Sequence, residues 1–476
     1  MQVTIETSAL KKALTKLSKA LPKAHGPVPA LCQCLANVSE SKRIIEFSAT
    51  NLEFSVMIRL SCSATQAGRF TFDLKHASGS LKAWKDKEVV LMPKENNVVV
   101  FASGMKRFAS PGLPVGDMPD HQLSSGIELA RIAEPEFIQM IEQVAPMAAQ
   151  YDNGSVLSAV VLDTDKDRLA FGATDSSRMS YQQTSAKLYE PAKSKLDMLM
   201  EGYKLTNMLP ADKLLAAFKG MKNFGHIKIY LPFGDSKQWI LATENHDYVV
   251  SLKQVAGQYP RYKKLFPEDS KLVTYADFDT QTLLQAAESV KAFNGREDRT
   301  KIVLLNGLNV ASQCDPEDKE QYVSCDIAGN TDYDKLPLIA LNYEYLIQWL
   351  KSSKLNAMRL KIQSESLNAE TYVKPLIFED KQVKHLLMPV QSSRDWNSAS
   401  KFSKGSAMPA SKPLAKSRKS SGKCLNPKPL VNAAKVKTEA KLVTKSAPVG
   451  VLPECKHARI LSTGKGFICR DCKQSV

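Results

Sequence analysis

The sequence predicts an α+β chain made of three copies of one domain, each with two helices packed on antiparallel sheet. Two observations lead there. The apolar triplet Leu10, Leu14 and Leu17 returns as Phe137, Ile141 and Val144, and again as Leu283, Ala287 and Val290. That spacing puts three side chains on one helix face. The copies recur at roughly 125–145 residues, which is domain size and too long for a solenoid repeat. Copies of that size set side by side make an arc or a ring.

The first unit covers residues 1–124. After the Leu10 helix it offers a second helical stretch, Leu74–Trp84, and it ends in Ser110–Asp120, where three prolines and two glycines stop regular structure. The second unit covers 126–257, with its second helix expected at Tyr203–Leu209. A connector, Gln258–Asp269, leads to the third unit, 268–391, whose second helix is expected at Leu341–Leu350. Short alternating or apolar runs between the helices read as strands. Units one and two share a phrase at matching offset, Ala49-Thr50-Asn51 and Ala173-Thr174-Asp175.

Charge is divided unevenly. Residues 392–476 hold 18 Lys and Arg against 4 Asp and Glu, a net of +14, and leave the body with 47 against 45. Residues 392–454 are rich in Lys, Ser, Pro and Ala. They have too little apolar surface to offset ordering entropy, so a disordered basic linker is expected. The last 22 residues carry Cys455, His457, Cys469 and Cys472 in a C-x-H-x11-C-x2-C arrangement. Two close ligand pairs about a dozen residues apart suit a structural zinc ion with no open position. Basic residues around them suit nucleic acid or protein. Nine unevenly spaced cysteines, no run of 18 apolar residues and no secretory signal point to a cytoplasmic protein.

The first helix displays Lys11, Lys12, Lys16 and Lys19 away from its leucine stripe, with Lys23 just beyond, and Lys75, Lys82 and Lys85 accompany the second helix. Outward ammonium groups of this kind suit a phosphate backbone without reading bases. The expected DNA contacts are Lys12, Lys16, Lys19, Lys23, Lys75 and Lys82. The first helix of unit two has no lysine, so such contacts are unequal among the repeats.

Four segments in order resemble the bacterial DNA polymerase III beta subunit, the sliding clamp: Arg107–Pro119, Leu157–Ser180, Val250–Pro267 and His385–Val390. The resemblance covers residues 1 to about 391 and implies a head-to-tail homodimeric ring around duplex DNA, helices inside and sheets outside. It implies a processivity factor that tethers the replicative polymerase. Partners would be double-stranded DNA, the DNA polymerase III catalytic subunit, the clamp loader and other proteins with clamp-binding peptides. Carried over by motif, the peptide pocket would comprise Leu157, Thr174, Arg178 and Met179, Pro260 and Leu265 of the connector, Tyr345, and Leu386, Met388, Pro389 and Val390. Ring closure would pair Lys106, Arg107 and Phe108 with an acidic edge at Asp315, Glu317, Asp318 and Glu320. The chain departs from the pattern at Ser176-Ser177, where the family commonly has Gly-His, and in continuing past Gln391.

No Walker A loop, His-Glu-x-x-His or evident catalytic triad occurs, so no catalytic site is expected. Two alternatives stay open. One is a diverged accessory clamp for repair or a mobile replicon. The other is a zinc-dependent DNA-acting enzyme that uses the body as scaffold.

Overall fold

The computed structural model describes residues 1–22, 28–39, 43–121, 123, 126–150, 155–165, 168–190, 194, 207–232, 236–294, 301–313, 322–353, 355–380, 383–390, 460–463 and 466–469. Two compact units divide the chain at Ser406 and Ala407.

In the larger unit one basic order, strand, helix, strands, helix, strands, occurs three times with short extra strands in the first and third runs. The first run is β1 (Val3–Glu6), α1 (Thr7–Leu17), β2 (Gln33–Ser39), β3 (Ile44–Thr50), β4 (Phe54–Ser61), β5 (Ser63–Ala64), β6 (Gly68–Asp73), α2 (Leu74–Leu81), β7 (Glu88–Pro93), β8 (Val98–Ser103) and β9 (Lys106–Pro111). The second is β10 (Glu128–Ala133), α3 (Glu134–Gln143), β11 (Ala159–Asp165), β12 (Arg168–Thr174), β13 (Arg178–Lys187), β14 (Met208–Pro210), α4 (Ala211–Phe218), β15 (His226–Tyr230), β16 (Gln238–Thr243) and β17 (Tyr248–Lys253). The third is β18 (Leu272–Asp279), α5 (Thr280–Asn294), β19 (Ile302–Asn306), β20 (Asn309–Gln313), β21 (Tyr322–Asp326), β22 (Gly329–Asn330), β23 (Leu338–Asn342), α6 (Tyr343–Ser352), β24 (Ala357–Gln363), β25 (Thr371–Tyr372), β26 (Leu376–Asp380) and β27 (Val383–Leu387).

Each of these six helices follows directly on a strand. The three apolar triplets are fully buried, as the 3.6-residue period requires. The second helices depart from expectation. That of the first run stops at Leu81, and that of the third starts two residues late, at Tyr343, capped by Asn342 Oδ1. In the second run Leu209 belongs to a strand, opposite Val160 of β11, and the helix begins only after Pro210. Tyr203, Leu205, Met208 and Leu209 imitate a helical stripe. Pro210, without an N–H, ends the ladder and leaves Ala211, Leu214, Ala217 and Phe218 to form the buried helix face.

The repeats are sewn together by shared sheets. An eight-stranded sheet runs β10-β15-β16-β17-β4-β3-β2-β6, so β17 of the second run pairs with β4 of the first. A nine-stranded sheet runs β14-β11-β12-β13-β27-β26-β24-β18-β22, and here β27 of the third run pairs with β13 of the second. Two five-stranded sheets flank these, β5-β1-β7-β8-β9 and β21-β20-β19-β23-β25. By position β4, β13 and β21 are equivalent, as are β9, β17 and β27. Both internal joins therefore use the same pairing, which leaves β9 and β21 as sheet edges among the described residues.

One apolar core fills the first two repeats and a second fills the third. In the second, Trp349 of α6 lies flat on His385 of β27, ring centroids 4.2 Å apart, and Ser180 Oγ meets His385 Nδ1 at 2.8 Å. No helix among the described residues is long and apolar enough to cross a membrane. The smaller unit contains a hairpin, β28 (Ile460–Thr463) with β29 (Gly466–Cys469), in which Thr463 faces Gly466 and Ile460 faces Cys469.

Candidate peptide groove and helix-lined face

Several of the expected pocket residues lie where the second and third repeats meet, around the turn from β12 to β13. Thr174 Oγ1 accepts the Ser176 N–H at 3.2 Å, and Asp175 Oδ1 accepts the Ser177 and Arg178 N–H groups, each at 3.0 Å. Ser176 sits at φ +79°, a left-handed conformation that favours glycine, and it is the position where the clamp pattern commonly has Gly. Ser177 then accepts a backbone bond from Met388 at 2.9 Å, which fastens the segment after β27 to the turn.

Arg178 is almost wholly buried. Its Nε donates to Asp175 Oδ2 at 2.9 Å, its Nη1 donates to Gln348 Oε1 at 2.8 Å, and its guanidinium lies 4.3 Å from the Tyr345 ring centre. The connector is held down by two tyrosines. Tyr259 Oη accepts the Thr174 N–H at 3.1 Å, and Tyr262 donates to Asp163 Oδ2 at 2.7 Å. Tyr262 lies against Gly172, where a Cβ would meet its ring at 3.0–3.2 Å and the tyrosine would have to give by a few tenths of an ångström. Burial and the Asp163 carboxylate push the Tyr262 phenol far up, keeping it a neutral donor. Pro260 and Leu265 are thereby left exposed on the connector.

On the helical side, Lys12, Lys19, Lys75 and Lys82 are exposed. Lys11 and Lys16 do not simply face outward as expected. Lys11 donates to the carbonyls of Lys82 and Trp84, each at 2.9 Å, tying α1 to the end of α2. Lys16 is half-buried over the Tyr248 ring at 4.8 Å, and burial lowers its pKa. A cavity of about 910 Å³ opens among the helices, with Lys19, Lys219 and Lys351 from the three repeats on its walls beside Glu142 and Asp212.

Residues 1–123 match the family of the DNA polymerase III beta subunit, N-terminal domain. The beta sliding clamp of Vibrio cholerae is 23% identical over 402 residues, 82% of this chain and 100% of that one. The beta sliding clamp of Streptomyces coelicolor is 21% identical, over 83% and 100%. Among solved structures, a Pseudomonas aeruginosa sliding clamp bound to griselimycin superposes with a TM-score of 0.67 at 19% identity. The Thermotoga maritima beta subunit does so at 0.66 and 17%, each covering 82% of this chain and 100% of its own. The chain has the sliding-clamp fold.

Within that clamp fold, the expected pocket residues fall on both faces of the nine-stranded sheet. Met179 and Leu386 are cross-strand partners and lie buried with Tyr262 in a small core beneath the connector. Arg178, paired with Leu387, points to the helical side and Tyr345. Val390 packs on Ile302 and Leu304, in a separate cluster. Pro389 is buried, Thr174 is buried with its hydroxyl bonded to the Arg178 carbonyl, and Leu157 is half-buried. Leu386 is thus part of the core floor, and truncating it opens a cavity at a cost of about 2–5 kcal/mol. Met388 and Leu265 are the large apolar side chains of the expected set that are exposed.

Of the edge residues, Lys106 pairs with Asp86 at 2.8 Å, Arg107 is exposed, and Phe108 stacks on Phe101 with centroids 4.7 Å apart. Lys23, Asp315, Glu317, Asp318, Glu320, Cys455, His457 and Cys472 lie outside the described residues, and Cys469 is described only as strand backbone. Sequence reasoning missed Lys219, Lys351 and Gln348. Lys219, just after α4, was legible in ADKLLAAFKGMK once the helix was placed there.

Proposed function

We propose that this chain is a DNA sliding clamp, a non-catalytic cytoplasmic processivity factor that closes as a homodimer around duplex DNA and tethers the replicative polymerase. One observation carries the ring. Both internal joins pair equivalent strands, β4 with β17 and β13 with β27, and the same pairing between two copies would join β21 of one to β9 of the other. A head-to-tail contact repeated twice closes the assembly and leaves neither β9 nor β21 as an open edge. Lysines from all three repeats around one helix-walled cavity support a diffusely basic lining. Enclosure then does the holding, and the phosphate contacts stay weak enough to slide.

The test uses the full chain. It should sediment as a dimer at micromolar concentration and, once loaded, stay on closed circular DNA and leave when that DNA is linearised. Monomer alone, or equal retention on both DNA forms, would sink the reading. The body in this reading spans 1–124, 126–257 and 268–391 as three domains, and clamp loader and polymerase dock by peptides at the Arg178 groove.

The tail adds a basic linker, 392–454, and a zinc module. The β28–β29 register supports the latter, because it sets Ile460, three positions after His457 in the sequence, opposite Cys469. Zinc there would be structural. Metal analysis should find one zinc per chain, lost in C469S/C472S. Removing residues 392–476 should keep the dimer and flatten the salt dependence of linear-DNA binding, since 14 net positive charges leave with them. An unchanged slope assigns the tail to protein contacts.

A further inference from the structure

The turn that carries Arg178 is built twice in this chain, and the copy without an arginine separates what the turn needs from what the arginine needs. Between β3 and β4, Thr50 Oγ1 accepts the Leu52 N–H at 3.0 Å, and Asn51 Oδ1 accepts those of Glu53 and Phe54 at 3.1 and 2.8 Å. Leu52 has φ +73° against +79° for Ser176. Glu53 accepts a backbone bond from Lys253 at 2.8 Å, as Ser177 does from Met388 at 2.9 Å. The backbone device is the same in both places.

The side chains differ as a set. Phe54 stands at the position of Arg178, Asn51 at that of Asp175 and, counting from the first residues of α4 and α6, Ala216 at that of Gln348 and Lys213 at that of Tyr345. The turn therefore folds without the second carboxylate oxygen, the glutamine or the aromatic ring. Where the arginine is present, all three touch it. Asp175 supplies the countercharge, and the neutral Gln348 accepts a further N–H without adding charge. Gln348 is itself oriented, because its Nε2 faces the Pro146 carbonyl at 3.5 Å and its Oε1 is left for the guanidinium. Among the described residues Asp175 and Gln348 occupy two of the five guanidinium N–H groups of this almost wholly buried side chain, which leaves three for an acceptor that reaches it.

We propose that Gln348 is a positioning residue for peptide recognition: it holds Arg178 in the pose that meets a carbonyl or carboxylate oxygen of a bound peptide. This rests on the groove reading above. A residue acting only through Arg178 has no effect once Arg178 is gone.

The experiment is a double-mutant cycle in the full-length protein, read by fluorescence anisotropy with a fluorescein-labelled clamp-binding peptide rich in leucine and phenylalanine. Arg178→Ala and Gln348→Ala should each weaken binding, the latter by about tenfold, and the double variant should be no weaker than Arg178→Ala alone. Gln348→Asn, which fills similar space but stops short of the guanidinium, should lose as much as Gln348→Ala. Parent-like affinity in Gln348→Ala, or multiplying losses in the double variant, would overturn the proposal. A parent protein that ignores the peptide would instead overturn the groove reading, and an Arg178→Ala variant that binds normally would remove the arginine from it.

Discussion

Arg107→Glu should raise the dissociation constant of the dimer by about thirtyfold. Arg107 is exposed on β9, the edge strand left over once both internal joins are made. In the proposed ring it faces the acidic segment of a partner copy. Reversing one exposed charge turns a weak attraction into a weak repulsion, roughly 1 kcal/mol. A head-to-tail dimer has two such interfaces, so the cost is counted twice, and about 2 kcal/mol is about thirtyfold in affinity. Screening gives a second signature, a difference that shrinks as ionic strength rises. Sedimentation equilibrium of parent and variant at low and high salt measures both. Equal dimerisation of the two proteins would show that Arg107 lies away from the interface.

His385→Phe should flatten the loss of stability that the parent suffers between pH 6.5 and pH 5. His385 is wholly buried, flat against Trp349, and burial together with the nearby Arg178 charge holds its pKa well below the ordinary value. The unfolded chain takes up this proton near pH 6.5 while the folded chain stays neutral. Stability is therefore intact above that pH and falls below it, at up to about 1.4 kcal/mol per pH unit, until the folded pKa is reached. Phenylalanine keeps the ring stack and removes the proton, though it leaves the Ser180 hydroxyl without His385 Nδ1. His121, lowered to about 4 chiefly by burial, adds a like slope that the variant keeps. Urea unfolding at pH 7, 6 and 5 should give converging curves for parent and variant, and parallel curves would refute the linkage.

Much of the fold was legible because burial writes its period into the chain. The three triplets at Leu10, Phe137 and Leu283 name the buried faces of α1, α3 and α5 without any tertiary information. The phrase Ala-Thr-Asn/Asp marked both copies of the turn, since an Asx side chain accepting nearby N–H groups is a local interaction. The second helix of the middle repeat was not legible. Its apolar residues satisfy either a helix or a strand, and pairing of Leu209 with Val160, some 49 positions away, decided for the strand.

The candidate site divides the same way. Arg178, Tyr345, Leu265 and Met388 are legible by motif, yet no local pattern distinguishes the buried Leu386 from the exposed Met388 two residues on. The connector pinned by Tyr262 makes that distinction, by covering one face of β27. Gln348 carried no signal at all, because a polar residue on a helix acquires meaning only from the side chain that folding brings to it, here one 170 positions earlier. By itself the sequence determined the threefold repeat, the buried helix faces, the turn chemistry and the separation of a basic tail, all set by composition and short-range spacing. Only the tertiary structure decided which strand edges stay open, which groove residues are floor rather than wall, and how Arg178 is held, because each depends on contacts between segments far apart in the chain.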